Sequence, residues 1–260
     1  MTSPSVNDSN RRLAGKVCVV AGVGGTIGEA VAARFLSEGA TVVGLDRARV
    51  ELANVDRHRV DLRDEQGVTD VVSAIVDRHG RIDVLYNNAG PLDPDDHALE
   101  QNSTATWKAA FRNLVLPVVL MCKYVTPVMR SSGRGGSIVT TGSFLSGMGA
   151  ATAQTAFSAA KAAVIQTTRD LGIHLAKTGI RANSISIGPV ETPQSRAMFE
   201  KLGPEGLKER LGHVPTGRFA TPAEIAGVAV FLASSDSGYL TAADIPMDGG
   251  IRGAYTIPEL

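Results

Sequence analysis

At 260 residues, 43% hydrophobic and 20% charged, the chain can build one well-buried domain and is short for two. Its 26 basic and 26 acidic residues cancel, which removes the electrostatic basis for a nucleic-acid partner or an anionic membrane surface. No uninterrupted apolar run reaches the ~18 residues of a bilayer span, so a cytoplasmic protein with no membrane partner is expected.

Residues 1–12 (MTSPSVNDSNRR) are polar, lack an apolar signal core and read as a disordered tail, with Arg11-Arg12 a solvated charge pair rather than an export signal. Beyond them, short β-branched runs alternate with helical patterns. Strands are expected at 16–21, 40–46, 58–60, 82–86, 137–141, 180–187 and 243–247. Helices are expected at 27–38, 65–79, 104–130, 155–177 and 222–234, with two short ones between 194 and 211. This rhythm predicts an α/β fold: a Rossmann-type doubly wound parallel sheet of about seven strands, with helices on both faces, in a single domain over 13–260. Residues 91–96 form a loop with three aspartates. Residues 194–220, carrying Met198, Phe199, Leu202, Leu207 and Leu211, read equally well as a surface hairpin or as a substrate lid. Cys18 and Cys122 fall inside apolar elements and read as reduced core thiols, and no cysteine or histidine cluster calls for a metal.

Chemistry enters with the first strand, which runs into Ala21-Gly22-Val23-Gly24-Gly25-Thr26-Ile27-Gly28 and then a helix. A glycine turn there lets backbone N–H groups and the helix N-terminus approach a pyrophosphate. Asp46 closes the second strand 24 residues after Gly22, where a carboxylate hydrogen-bonds ribose hydroxyls and repels a 2′-phosphate. NAD(H) is therefore the expected cofactor. Arg47, next in the chain, argues the other way.

From Leu13 to Gly253 the chain resembles the short-chain dehydrogenases/reductases. The resemblance is carried by the glycine loop, Asp61-Leu62, Asn87-Asn88-Ala89-Gly90, Asn113, Ser143 after Ser137-Ile-Val-Thr-Thr-Gly, Lys161, Asn183 to Thr192, and Asp248-Gly249-Gly250. It implies that Gly22, Gly25, Thr26, Ile27 and Gly28 cradle the pyrophosphate. Asp46 and Arg47 would lie at the adenosine ribose, and Asp61 and Leu62 at adenine. Asn88, Ala89, Gly90 and Thr141 would border the cofactor, and Gly188, Val190 and Thr192 would hold the nicotinamide. Asn113, Ser143 and Lys161 would form the catalytic set, Lys161 also reaching the cofactor ribose. Pairing through the long helices would give a homodimer or homotetramer. Taken singly, Asn113 also reads as a local helix kink and Ser143 as a turn former.

The chain departs from the family pattern at Ala21, Thr26 and Ile187, and most consequentially at Phe157. Four residues before Lys161, on the same helix face, the family places the tyrosine that exchanges a proton with the substrate oxygen. Phe157 keeps the ring without the hydroxyl. Three readings follow. The chain is an NAD(H)-dependent oxidoreductase for a hydrophobic or cyclic secondary alcohol or ketone, impaired because design or divergence replaced its tyrosine. Alternatively it is a non-redox enzyme on the same scaffold (a cyclase, isomerase or lyase), or an inactive NAD-binding homologue. The loop 144–154 is one residue longer than the family spacing and is expected to bulge.

Overall fold

The computed structural model describes residues 11–88, 90, 93–149 and 154–254. Seven strands form one parallel sheet in the order β3-β2-β1-β4-β5-β6-β7. They are β1 Val17–Ala21, β2 Thr41–Asp46, β3 Val55–Arg59, β4 Val84–Asn87, β5 Gly136–Ser143, β6 Ile180–Ile187 and β7 Asp244–Met247. The expected fold class is the observed one. β1 is buried along its whole length, as a strand covered on both faces must be.

Helices α1 (Thr26–Ser37) and α7 (Pro222–Ala233) cover one face, where Val31, Ala32, Phe35, Ala226, Ala229 and Val230 pack on Val20, Val42 and Tyr86. Helices α2 (Glu65–His79), α4 (Leu116–Ser131) and α5 (Thr155–Leu175) cover the other, with Val68, Ile75, Met121, Val125 and Val164 against Val19, Leu85 and Ile138. The chain reverses between β1 on one side and β4 on the other, so the carboxyl ends of these central strands open onto the crevice where doubly wound sheets bind ligands.

Three sequence expectations change. β3 lies at Val55–Arg59 rather than 58–60, because an edge strand tolerates the run Asp56-Arg57-His58-Arg59 that reads as loop in isolation. The stretch Thr104–Ser131 is, by length and composition, long and apolar enough to cross a membrane, contrary to expectation; half of its apolar window is buried in the protein, as in a core helix. Arg12, assigned to a disordered tail, is held instead: it donates to Glu38 from both its backbone (3.2 Å) and its guanidinium (3.1 Å), while residues 1–10 lie outside the described set. The candidate lid begins as helix α6, Pro193–Gly212, broken at Gly203 (φ 68°) into the two expected segments. The side chains of Met198 and Phe199 lie outside the description. Both cysteines are free and buried, and burial pushes the Cys122 thiol up to about 12.

Candidate active site

The glycine loop bridges β1 and α1. Gly22 has φ +82°, a conformation that side chains resist, and a Cβ on Gly28 would stand 2.2 Å from the Gly22 carbonyl oxygen. Helix α1 starts at Thr26 behind Gly25, with no side chain capping its first turn. Its leading N–H groups are thus left for an anion, which is the fit a pyrophosphate requires. Thr26 and Ile27 open the helix; Gly25 has open space around it, with nothing nearer to its Cβ position than 3.8 Å.

Asp46, at the carboxyl end of β2, is anchored by the Gly24 N–H on Oδ2 and the Ala48 N–H on Oδ1, both at 2.9 Å. A Cβ on Gly24 would meet this carboxylate and Val50, so the loop and Asp46 fit each other. Each carboxylate oxygen keeps a lone pair for a hydroxyl donor. Val23, Arg49, Arg57 and Arg59 line the cavity beside it, and Arg47 is exposed next to it. Of the Asp61-Leu62 pair, Leu62 packs into the core with Val60 and Val68. Asp61 faces outward, and the Arg63 guanidinium, at 2.6 and 2.8 Å, holds its carboxyl down at about 2.

Beyond β4, Asn88 ties the crevice together: its Nδ2 donates to the Gly22 carbonyl at 3.4 Å and its Oδ1 accepts from Thr141 Oγ1 at 3.1 Å. Gly90 has φ +128°, and a Cβ there would strike Leu114. Ala89 lies outside the described residues. Further along β5, Ser143 is buried, and its Oγ accepts the Leu145 N–H that starts a short 3-10 turn, Phe144–Gly147. The expected bulge of loop 144–154 cannot be followed past that turn, since residues 150–153 lie outside the description.

Asn113 sits at the centre of a π-helical turn, Phe111–Val115, between α3 (Thr104–Ala110) and α4. Pro117 explains this turn. It lacks the N–H that would bond the Asn113 carbonyl four residues back, and Leu116 N–H bonds Phe111 O instead, five residues back. The kink reading and the site reading of Asn113 are therefore compatible: the kink presents its carbonyl beside Gly90. The Asn113 side chain is engaged, accepting from Arg63 Nη1 at 3.0 Å. The spacing Asn-x-x-x-Pro was visible in the sequence and went unread.

Lys161 is buried on α5. Its Nζ donates to the Thr141 carbonyl at 2.8 Å and lies 5.9 Å from the centre of the Phe157 ring. Among the described residues it has no carboxylate partner, and burial alone lowers its pKa from 10.5 to about 8. Phe157 packs against the buried cluster of Ala110, Leu114, Ala156 and Ala160. No other described tyrosine serves this face. Tyr86 is fully buried on the α1 side of the sheet, bonded to Thr141 Oγ1 at 2.9 Å, with its phenol pushed up to about 12 by burial. Tyr124 bonds Glu65, Tyr239 is exposed, and Tyr255 lies outside the description.

The start of α5 has no side-chain cap of its own. Asp96, from the three-aspartate loop, supplies one across 60 residues, accepting the N–H groups of Ala156 (3.1 Å) and Phe157 (2.7 Å). Asn102 Nδ2 steadies the same carboxylate at 2.7 Å. Sequence reading noticed this loop without finding its target, because the partners are distant backbone groups. At the far wall, Gly188 packs on the Asp248 backbone just past β7, a Cβ there standing 2.6 Å from Asp248 Cα. Val190 bridges to Ala220, and the Thr192 hydroxyl caps α6 by accepting from Ser195 N–H at 3.1 Å. Among the described residues no cluster could hold a metal.

The family model described as enoyl-(acyl carrier protein) reductase matches residues 22–252. The chain is 36% identical over 251 residues to the 3-oxoacyl-[acyl-carrier-protein] reductase FabG of Thermotoga maritima, covering 92% of this chain and 99% of that protein. It is 32% identical to the meso-2,3-butanediol dehydrogenase of Serratia marcescens, over 96% of this chain and 99% of that one. In three dimensions it is similar to the Thermoplasma acidophilum aldohexose dehydrogenase, with a TM-score of 0.87 and 26% identity over 96% of this chain and 99% of that one. A Burkholderia xenovorans chain described as a short-chain dehydrogenase/reductase superposes with a TM-score of 0.88 at 31% identity, covering 94% and 98% of the two chains. The family model and these relatives span nearly the whole length of the chain, and the chain belongs to the short-chain dehydrogenase/reductase family.

Proposed function

We propose that the protein is an NAD(H)-dependent oxidoreductase interconverting a hydrophobic or cyclic secondary alcohol and the corresponding ketone, in the cytoplasm, with Phe157 in place of the usual tyrosine acid. One observation carries the reading: an unbroken line of hydrogen bonds from the candidate catalytic helix to the dinucleotide loop, Lys161 Nζ to Thr141 O, Thr141 Oγ1 to Asn88 Oδ1, Asn88 Nδ2 to Gly22 O. A scaffold kept only for folding would have no need of a buried ammonium joined to this line. The relatives named for what they act on are a reductase and two dehydrogenases, which supports redox chemistry.

A nicotinamide cofactor would supply hydride exchange at the substrate carbon; the rest is the work of the chain. Asp46 favours a free ribose 2′-hydroxyl, hence NAD(H). Ser143, two residues beyond Thr141 on β5 and about 6.6 Å along the strand, would polarise the substrate oxygen. The apolar surroundings of Phe157 and exposed Met148 favour an uncharged substrate. Exposed Phe111, Val119 and Ile173 on the long helices would be covered in a homodimer or homotetramer. The test is NADH and NADPH consumption at 340 nm with a panel of cyclic and aliphatic ketones, beside calorimetric titration of both cofactors. Binding of neither would sink the reading.

The non-redox alternative keeps one specific support. The Phe157 ring is packed among apolar neighbours, as a settled part of the site would be. Conversion of a substrate with unchanged nicotinamide absorbance would establish it.

A further inference from the structure

The site lacks the tyrosine hydroxyl, so a proton for the substrate oxygen must come from elsewhere. Ser143 ionises far too weakly to serve. Tyr86 is sealed on the opposite face of the sheet, and Asp96 is turned onto the backbone N–H groups of α5. We propose that Lys161 is itself the proton donor and acceptor of this site, its ε-ammonium passing a proton to the substrate oxygen directly or through one bound water. This rests on the oxidoreductase reading above and specifies its acid.

The geometry supports the role. Lys161 Nζ spends one N–H on the Thr141 carbonyl, leaving two donors without a partner among the described residues. It lies on the same helix face as Phe157, with Nζ 5.9 Å from the ring centre, on the side where the family's phenol would stand. Among the described residues no anion holds the proton in place. α5 itself carries Arg169, Asp170 and His174, all exposed. Of the elements packed on it, α3 carries Lys108 and the π-turn Arg112, both exposed, while β6 carries Arg181, which donates to carbonyls at the end of α7. None of these shifts Lys161; burial alone makes its proton easier to release than that of a solvated lysine.

In the reducing direction the N–H bond of Lys161 breaks as the O–H bond of the alcohol forms. The two electrons and the carbon-bound hydrogen come from a reduced nicotinamide dinucleotide, which is oxidised. The neutral amine then recovers a proton from solvent.

The test compares the native chain and Phe157→Tyr, each with and without Lys161→Arg, followed by ketone-dependent NADH oxidation. Arginine keeps the charge and the donors but does not release its proton. Read at saturating NADH, Lys161→Arg is expected to lower kcat by at least ~100-fold in the native chain and by less than ~10-fold beside a tyrosine. Native kcat for reduction should fall as pH rises through about 8. Competitive acetylation of the cofactor-free native protein, mapped by mass spectrometry, gives an independent readout: Lys161 should titrate near 8, well below exposed lysines at about 10.4. Equal losses in the two backgrounds, or a Lys161 that titrates with the exposed lysines, would overturn the proposal. Absence of NADH-linked turnover in both the native chain and Phe157→Tyr would instead overturn the oxidoreductase reading, and the proposal with it.

Discussion

Asp96 accepts the backbone N–H of Phe157 at 2.7 Å, so the residue that replaces the family's acid is pinned by a carboxylate 61 positions earlier. Asp96 is buried and shares in no ion pair among the described residues; its charge is balanced by helix N–H groups and Asn102. Asp96→Ala should therefore cost about 1–2 kcal/mol, lowering Tm by roughly 2–4 °C in thermal denaturation. Asp96→Asn, which keeps one acceptor oxygen, should lose less. An unchanged Tm in Asp96→Ala would show that the cap contributes nothing.

Two neighbouring glycines should respond differently to the same methyl group. In Gly28→Ala the new Cβ meets the Gly22 carbonyl at 2.2 Å, backbone against backbone, while in Gly25→Ala its nearest contact is 3.8 Å. Gly28→Ala should lose about 1–3 kcal/mol of stability and most NADH affinity; Gly25→Ala should fold normally. Equal behaviour in calorimetry and fluorescence titration would refute the cradle described above.

Asp46→Ala removes the carboxylate that disfavours a 2′-phosphate and leaves Arg47, Arg57 and Arg59 nearby. NADH affinity is expected to fall about tenfold while NADPH affinity rises, measured as Kd values in parallel fluorescence titrations. A fall for both cofactors would mean that Asp46 only orders the loop.

Restoring the phenol in Phe157→Tyr should raise kcat for ketone reduction by ~10² to 10⁴, the usual worth of a positioned acid. The ring already sits in place, so only the oxygen is new. No gain across the ketone panel counts against the oxidoreductase assignment.

Lys161 should make the protein less stable than it could be. Its folded pKa of about 8 lies below the ordinary 10.5, so between these values the unfolded chain binds more protons and stability rises with pH. The penalty of the buried ammonium is full below about pH 8 and gone above 10.5. Lys161→Met is thus expected to stabilise by on the order of 1–3 kcal/mol at pH 7, after losing the Thr141 hydrogen bond, with the gain shrinking by pH 10.5. A constant difference across that range would show that burial of the charge is not its cause.

The fold was legible because its signals are local: unbroken β-branched runs for buried strands, apolar periodicity for helices, and a glycine loop after β1. Edge strand β3 was misplaced because its side chains face solvent and carry charge, so pairing with β2, not composition, makes it a strand. The apolar stretch Thr104–Ser131 shows the converse, since its membrane-like composition comes from packing against the sheet.

At the site, the sequence by itself determined which chemical groups are present and which one is absent: Asp46, Ser143, Lys161, and no tyrosine at 157. Only the tertiary structure decided what those groups experience. Asp96 finds the N-terminus of α5, Pro117 opens a π-turn at Asn113, and Lys161 loses its water without gaining an anion. These outcomes depend on neighbours tens of residues away and on burial, and neither is a property of any short stretch of chain.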